Sequence, residues 1–491
     1  MMHFNTANML DRAILAVAPR RGLDRIEAKA RARILMNFDG AGRGPRLKSW
    51  KAPATDADAA SLAGRARLRQ LSRDMMRNAP FAKRAQSVIT NNVVGQGIQP
   101  SVQGANKRQR DKAATRILGH LKSKSLDKYG EHDIFSAQSL VQDAVFESGE
   151  VLVLRHNRPA RAGLDLPFQI EVLEVDHLDP TVTTGPGGNE VRDGIEYDDE
   201  GRVVAYHIYQ QHPGSSSRKI KIKSDRWAAG DVLHIKRLER PGQTRGVPWL
   251  APVMLTMGEM RDYLEAQLLK QKISALLVGV VKSTSGAGLS EEQKAAGVGE
   301  MRPGGIVYLE DGQEMNFSDP PDVGDFDAVV RLALVAIAMG LGITYEALAG
   351  DLSRVNFASS KVGRIEMDAN IKTWQIRVMI GQFCDGVAKW ALQAYRLTPG
   401  AHKGVAIHWT PPARPMIDPS REMKPVIEKI DKGLTSRQRS IREMGQDPEI
   451  IDQEIEEDEV RDAERAKRVA KRTNQEQSPS EPAEGEGDEG K

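Results

Sequence analysis

The chain has 491 residues, 40% hydrophobic, 28% charged and 5% aromatic, with a formal net charge of +3. That length predicts about three domains, and so few aromatics favour helical packing over a large sandwich core. The single cysteine, Cys384, excludes an internal disulfide and a cysteine-rich zinc site.

Charge is unevenly placed. Arg65, Arg67, Arg69, Arg73, Arg77, Lys83 and Arg84 make the first part basic, whereas Glu454, Glu456–Glu459, Glu484, Glu486, Asp488 and Glu489 make the end acidic. Such polarity points to nucleic-acid contact or head-to-tail assembly, with solvated faces as the plain alternative. No apolar run reaches the roughly 18 residues that span a bilayer. MMHFNTANML also lacks the basic and apolar regions of a secretory signal. A soluble intracellular protein without membrane contact is expected.

Residues 1–60 read as an extended arm. From Ser61, SLAGRARLRQLSRDMMRN reads as a helix with Leu62, Leu68, Leu71 and Met75 on one side, and Pro80 then VVGQGIQP (Val93–Pro100) end that region. Helices are predicted over Asn106–Lys122 and Ser136–Glu147. Strand patterns follow at Ser148–Asn157, Phe168–Val175, Gly194–Gln210 and Val232–Glu239, and Asp198–Gly201 supplies a hairpin turn. Residues 148–240 are therefore expected to be mostly antiparallel β.

Trp249–Lys272 reads as a long helix with Pro252 in its first turn. Ile273–Val281, a short helix near Ser290–Ala296 and Pro303–Phe317 then predict a small α+β insertion. A second apolar helix, Val329–Leu341, breaks at Gly340 and Gly342. The polar loop that follows, Gly350–Lys361, carries Asp351, Arg354, Asn356, Ser359, Ser360 and Lys361, without the spacing of a phosphate-binding loop. Val362–Tyr395 predicts a further long helix, Gly404–Pro412 a strand, and residues 420–472 charged helices. From Thr473 the chain has too little apolar surface to offset ordering entropy, which predicts disorder.

Catalytic constellations are poor. Asp176, His177 and Asp179 stand together in EVDHLDP, as an acid–base or metal site would require. Acidic residues at a strand end are the simpler explanation. His132, His207, His212, His402 and His408 are isolated, and neither a GxSxG elbow nor a GxGxxG turn after a strand occurs. Cys384 sits in a helical apolar pattern, as a small core residue does. Basic residues cluster instead at Arg354, Lys361 and Arg364 and at Lys270, Lys272 and Lys282. Without stacking aromatics these suit phosphate-backbone contact rather than base readout, or else a solvated face.

From about Leu62 to about Arg421 the order of these pieces resembles the lambda-type portal proteins of tailed bacteriophages. The resemblance rests on NVVGQGI (Asn92–Ile98), ESGEVLV (Glu147–Val153), LEVDHLDP (Leu173–Pro180) and RPGQTRGVPWLAPVM (Arg240–Met254). DYLEAQLLKQKISA (Asp262–Ala275), PGGIVYLEDGQEM (Pro303–Met315) and AMGLGITYEALAGDLSRVNFASSK (Ala338–Lys361) extend it. Phe357 and Lys361 stand where the family pattern leads one to expect tyrosine and arginine.

The resemblance implies an α+β portal fold with a mixed wing, a two-helix stem, a small clip and a helical crown. Its divisions here would be an arm (1–60), wing (61–247), stem helix (248–275), clip (276–320) and stem helix (321–343). A tunnel loop (344–361), long helix and wing strand (362–417), crown (418–472) and acidic tail (473–491) complete it. It further implies a ring, typically of twelve subunits, at a capsid vertex, assembled in the host cytoplasm, with a prophage origin also allowed. Sequence-independent double-stranded DNA, the terminase large subunit, a head–tail connector, and capsid and scaffold proteins are the implied partners. No cofactor, metal or catalytic residue is implied. The tunnel-loop residues Asp351, Arg354, Asn356, Ser359, Ser360 and Lys361, and the stem cations Lys270, Lys272 and Arg331, would face DNA. A phage-head hydrolase using Asp176, His177 and Asp179, and a scaffold without a channel, are the alternatives.

Overall fold

The computed structural model describes residues 14–21, 24–25, 54–104, 106–216, 223–275, 279–283, 313–317, 326–353, 357–416 and 418–476. The chain divides into residues 1–62 and 63–491. In the first unit the helix α1 (Ala57–Leu62) is described, and Leu62 is 57% exposed. The helix expected from Ser61 is therefore interrupted at Ala63 and Gly64, and α2 (Arg65–Asn78) starts afresh in the second unit.

Pro80 opens a helix rather than ending one. It stands in the first turn of α3 (Pro80–Val93), where a missing N–H costs nothing. The fully buried Ala82, Ala85, Ile89 and Val93 follow at helical spacing. After β1 (Gln99–Gln103) and α4 (Lys107–Leu121) comes α5 (Ile134–Ser148). Asp133 and Ser136 cap α5 reciprocally, and Gly149, at φ +85°, ends it.

Strand β2 (Glu150–Asn157) is the centre of a three-stranded antiparallel sheet between β3 (Phe168–Glu174) and β8 (Val232–Lys236). Its first five residues are all buried, which is why EVLVL reads as a continuous apolar run rather than an alternating one. A four-stranded antiparallel sheet joins β4 (Glu190–Arg192), β5 (Ile195–Tyr197), β6 (Val203–Tyr209) and β7 (Ser224–Ala228). The turn at Asp198–Gly201 is set by Asp198 Oδ1, which accepts from the Glu200 and Arg202 amides at 3.1 and 2.7 Å.

The second half begins with α6, which spans Met254–Ala275; Trp249–Val253 are turns, so Pro252 precedes the helix instead of standing in it. Ile273–Ala275 continue α6, and the strand starts only at β9 (Gly279–Ser283), which pairs with β10 (Gln313–Phe317). The helix expected near Ser290–Ala296 lies outside the described residues. After α7 (Phe326–Leu341) and the short α8 (Tyr345–Ala349), one continuous helix runs from Phe357 to Arg396. Its parts are α9 (Phe357–Trp374), a π-wound stretch (Gln375–Cys384) and α10 (Asp385–Arg396). Strand β11 (Ala406–Thr410) returns to pair with β1. Helices α11 (Pro419–Asp431), α12 (Arg437–Glu443) and α13 (Pro448–Glu476) follow. Thr473–Glu476, assigned from composition to a disordered tail, continue α13; residues 477–491 lie outside the described ones.

Trp249, 2% exposed, joins the halves. Its ring lies 5.6 Å from Phe146 of α5 and 4.9 Å from Trp374 of α9, with the Arg237 guanidinium 4.9 Å from it. Two glutamines imitate backbone pairs. Gln138 of α5 accepts from Ile98 N–H at 2.7 Å and donates to Ile98 C=O at 3.0 Å. Gln382, in the π-wound stretch, does the same to Lys236 of β8, at 2.9 Å both ways.

ESGE and RPGQTRGVP, far apart in sequence, meet in the interior. A Cβ at Gly149 would lie 2.3 Å from the Val247 backbone, and one at Gly246 would lie 2.2 Å from the Gly149 carbonyl oxygen. Only glycine allows that approach. Beside it the Glu150 carboxylate is 0% exposed and accepts from Arg245, from the Gly246 amide at 2.7 Å and from His234 at 2.8 Å. Burial alone would raise this carboxyl, but Arg245 and His234 outweigh it and hold it far below the usual range. Arg65, Arg69 and Arg73, one turn apart on α2, meet Asp193 at 2.7 Å, Asp176 at 3.3 Å and Asp176 at 2.6 Å. These cations of the basic first part are engaged by carboxylates of the same chain, so they are not a surface for nucleic acid.

Candidate functional site

Helices α6 and α7 lie antiparallel. At one end a Cβ on Gly340 would come within 2.4 Å of Val253, and at the other the Tyr263 and Phe326 rings stack at 5.8 Å. From Tyr263 to Ala275, α6 runs on for about 18 Å. The β9–β10 pair lies between the two helices in sequence.

Helix α7 is apolar on two faces. Leu334, Ile337, Ala338 and Leu341 are buried in the main core. Val329, Leu332, Ala336 and Met339 form a second row at 3-4-3 spacing and are exposed, Leu332 by 72% and Met339 by 75%. Helix α9 repeats the pattern on its outer side. Val362 and Ile365, 62% and 60% exposed, lead to Ala369 and then, past Lys372, to Ile376 at 61%. Such rows are the spacing of a helix–helix seam, and a single solvated helix has no use for them. The sequence of Val362–Tyr395 already shows apolar residues on more than one narrow stripe, as packing on several sides requires, whereas the row on α7 was missed although residues 329–339 offer the same signal.

The segment between the helices is tied to α7. Gly342, at φ +70°, ends that helix, and the Thr344 hydroxyl accepts from Ala347 N–H at 3.2 Å to start α8. The Tyr345 hydroxyl donates to Asp351 Oδ2 at 3.1 Å, and the Arg331 guanidinium lies 5.4 Å from the Tyr345 ring centre. Asp351 Oδ1 accepts from Ser353 N–H at 2.9 Å and its hydroxyl at 2.6 Å. The Ser353 bonds, then Tyr345 and the Arg331 charge, hold the Asp351 carboxyl below its ordinary range.

Arg354 and Asn356 lie outside the described residues. Ser359, Ser360 and Lys361, read from sequence as loop, belong to the first turns of α9. Serine near a helix start costs little, so the period visible from Val362 extends back to Phe357. Lys361 and Lys272 are exposed, Lys270 and Arg331 half-buried. Lys282 falls on β9, beyond the end of α6.

The acid–base triplet of EVDHLDP does not converge. Arg69 and Arg73 hold Asp176, while buried His177 has Nδ1 2.9 Å from the Tyr209 carbonyl. Asp179 accepts from Thr181, Tyr209 and Ser224. Those hydrogen bonds outweigh burial and bring its carboxyl down to about 2. Glu174, Asp176 and His212 do bring ligand atoms within 4.8 Å of one another. The Arg73 guanidinium lies 3.2 Å from Glu174 and 2.6 Å from Asp176, supplying the positive charge a metal would bring. Cys384 is fully buried, and burial pushes its thiol well above the ordinary value, so it is no nucleophile.

The model of the lambda family of phage portal proteins matches residues 43–375. A probable portal protein of Halomonas phage phiHAP-1 is 26% identical over 449 residues, covering 84% of this chain and 83% of that protein. Portal protein B of Escherichia phage lambda is 21% identical over 476 residues, covering 85% and 88%. A solved chain from the neck of a native gene transfer agent particle gives a TM-score of 0.47 at 14% identity, over 77% of this chain and 94% of that one. With a match that runs through α2, the sheets and α6–α7 into α9, the chain belongs to the lambda family of phage portal proteins.

Proposed function

We propose that this protein is a non-enzymatic conduit: copies of the chain close into a ring, of about twelve subunits on the family's pattern, around double-stranded DNA. The observation that carries the reading is the pair of exposed apolar rows on α7 and α9. Two different faces of one chain, both lacking a cover, suit a head-to-tail contact that repeats until it closes. In this reading the α6–α7 pair is the stem and the segment around β9 and β10 is the clip. Residues 344–361 border the channel, and α11–α13 form the crown. The ring sits at the capsid vertex of the virion, where terminase docks during packaging and a connector afterwards; capsid and scaffold proteins surround it.

Weak phosphate contacts, repeated around an axis, let DNA slide where one strong site would stall it. Lys361, Arg354, Lys270 and Lys272 are the cations assigned that role. Native mass spectrometry and electron microscopy test the reading, with a closed ring and a channel of about 20 Å, the width of a duplex, expected. Folded protein found only as monomers and dimers would overturn it. Replacing Arg354 and Lys361 together by alanine is expected to leave ring formation intact and to lower DNA packaging.

A further inference from the structure

A cavity of about 520 Å³ opens between α9, the segment after β11 and α12. Its floor is apolar, formed by Ile371, Trp409 and Pro412, with the exposed Ile376 at its edge. Its rim is basic: Lys372, Arg439 and Arg442 border it, all three exposed. Arg439 lies 3.1 Å from Glu443, whereas Lys372 and Arg442 have no carboxylate partner among the described residues. In its lining Arg414 is held by Asp368, yet its Nε and the indole N–H of Trp409 are buried without an acceptor among the described residues. Buried donors of that kind call for an acceptor from outside.

The same chain carries the converse surface. On α13, Ile451 and Ile455 lie on one side, and Glu454, Asp458, Glu459 and Asp462 flank them. Ile455 is 44% exposed. Glu454 and Glu459 meet no cation of their own chain among the described residues. The helix is anchored at its start, where Arg437 holds Asp452 and Arg110 lies 2.9 Å from Glu449, and residues 453–470 are exposed.

We infer that the acidic ridge of α13 in one copy docks into the basic-rimmed cavity of the next copy. The fit is of two kinds. Carboxylates meet lysine and arginine at the rim, and Ile455 meets the apolar floor, the usual arrangement of a dry centre inside a polar border. The two surfaces are different parts of one chain, so the contact runs head to tail and can close a ring. A nucleic-acid backbone suits the cavity less well. Phosphates have no apolar group to place on Ile376 and Pro412, whereas the α13 ridge offers Ile455. The inference rests on the ring reading.

A charge exchange on the full chain tests it. Arg439→Glu with Arg442→Glu, and separately Glu454→Arg with Glu459→Arg, are expected to raise at least tenfold the concentration at which half the chains are in rings. Combining all four changes is expected to return that concentration to within about threefold of the unmodified protein. All four sites are exposed, so each variant should keep the thermal midpoint of the monomer, which shows that it folds. Rings that form equally well in both reversed variants, or a combination that fails to recover, would overturn the inference and leave the ring reading standing. So would an Arg439→Glu, Arg442→Glu protein that keeps its rings but loses binding to a fluorescent DNA duplex, because the cavity would then be a phosphate site. Unmodified protein that never forms rings would overturn both readings together.

Discussion

Arg245 and Glu150 form a forked ion pair in the interior, with Nε 3.1 Å from each carboxylate oxygen and Nη2 2.9 Å from Oε1. Arg245 also lies 3.5 Å from Asp193, itself bound by Arg65. The pair therefore ties the end of α5, the loop before α6, the four-stranded sheet and α2 to one point. Removing one partner of a buried pair leaves an uncompensated charge and costs about 3–5 kcal/mol. Arg245→Ala should lower stability by that amount in urea unfolding of the monomer. Arg245→Lys should recover only part of it, because the planar fork is lost.

Acid should destabilise the fold in two stages. His120 and His234 are buried, and burial pushes both down to about 4 from 6.5, helped at His234 by the Lys236 charge. The unfolded chain takes up these protons below about pH 6.5 and the folded chain only below about 4. Stability therefore falls as pH drops through that window, by at most about 3 kcal/mol for each histidine. Glu171, brought down to about 2 by His156, Tyr129 and Lys128 against its burial, adds a loss that starts below about pH 4.5. His120→Leu should remove about half of the first stage and leave the second, as thermal midpoints measured across pH 3–8 would reveal.

Leu332 and Ile365 are exposed in the single chain, at 72% and 60%. Leu332→Lys and Ile365→Lys should change the monomer's stability by no more than about 0.5 kcal/mol. Each should nevertheless block assembly, because a lysine in an apolar seam must be desolvated. Sedimentation velocity beside thermal unfolding separates the two effects. A variant that assembles normally would remove its row from the subunit contact.

Gln382→Leu keeps the size of the side chain and removes both bonds to Lys236. The N–H and C=O of Lys236 at that point of β8 then lose the Gln382 amide, at a cost of about 1–3 kcal/mol. Hydrogen exchange should locate the change at Lys236, with the amide protected in the unmodified protein and exchanging faster in the variant.

The long elements were legible because their periods are strong: α5, β2, β3, β6, α7 and the Val362 helix were each read within a few residues. Strands β1 and β7 were not. QPSVQ and SDRWA carry little β-branched character, and β1 is a strand only because Ala406–Thr410 pairs with it from some 300 residues away. Pro80 misled because a proline that stops one helix also suits the first turn of the next. The arginines of α2 were counted as surface charge because sequence shows a charge but not its partner. The second apolar row of α7 escaped, and the exposure of the one on α9 was not foreseen, for a related reason. Apolar spacing says that a face will be covered, not whether the cover comes from the same chain.

The π-wound stretch Gln375–Cys384 sets the angular phase of everything before it relative to everything after. Each residue of an α-helix turns the side-chain direction by about 100°. Deleting one residue there would swing Lys361, Val362 and Ile365 by that angle while Phe383, Val387 and Trp390 stayed locked in the core. In a closed ring the same swing would occur in every copy at once. The error could not average out between subunits: the assembly would keep its symmetry and lose its alignment, like a gear train in which every tooth is cut one notch late.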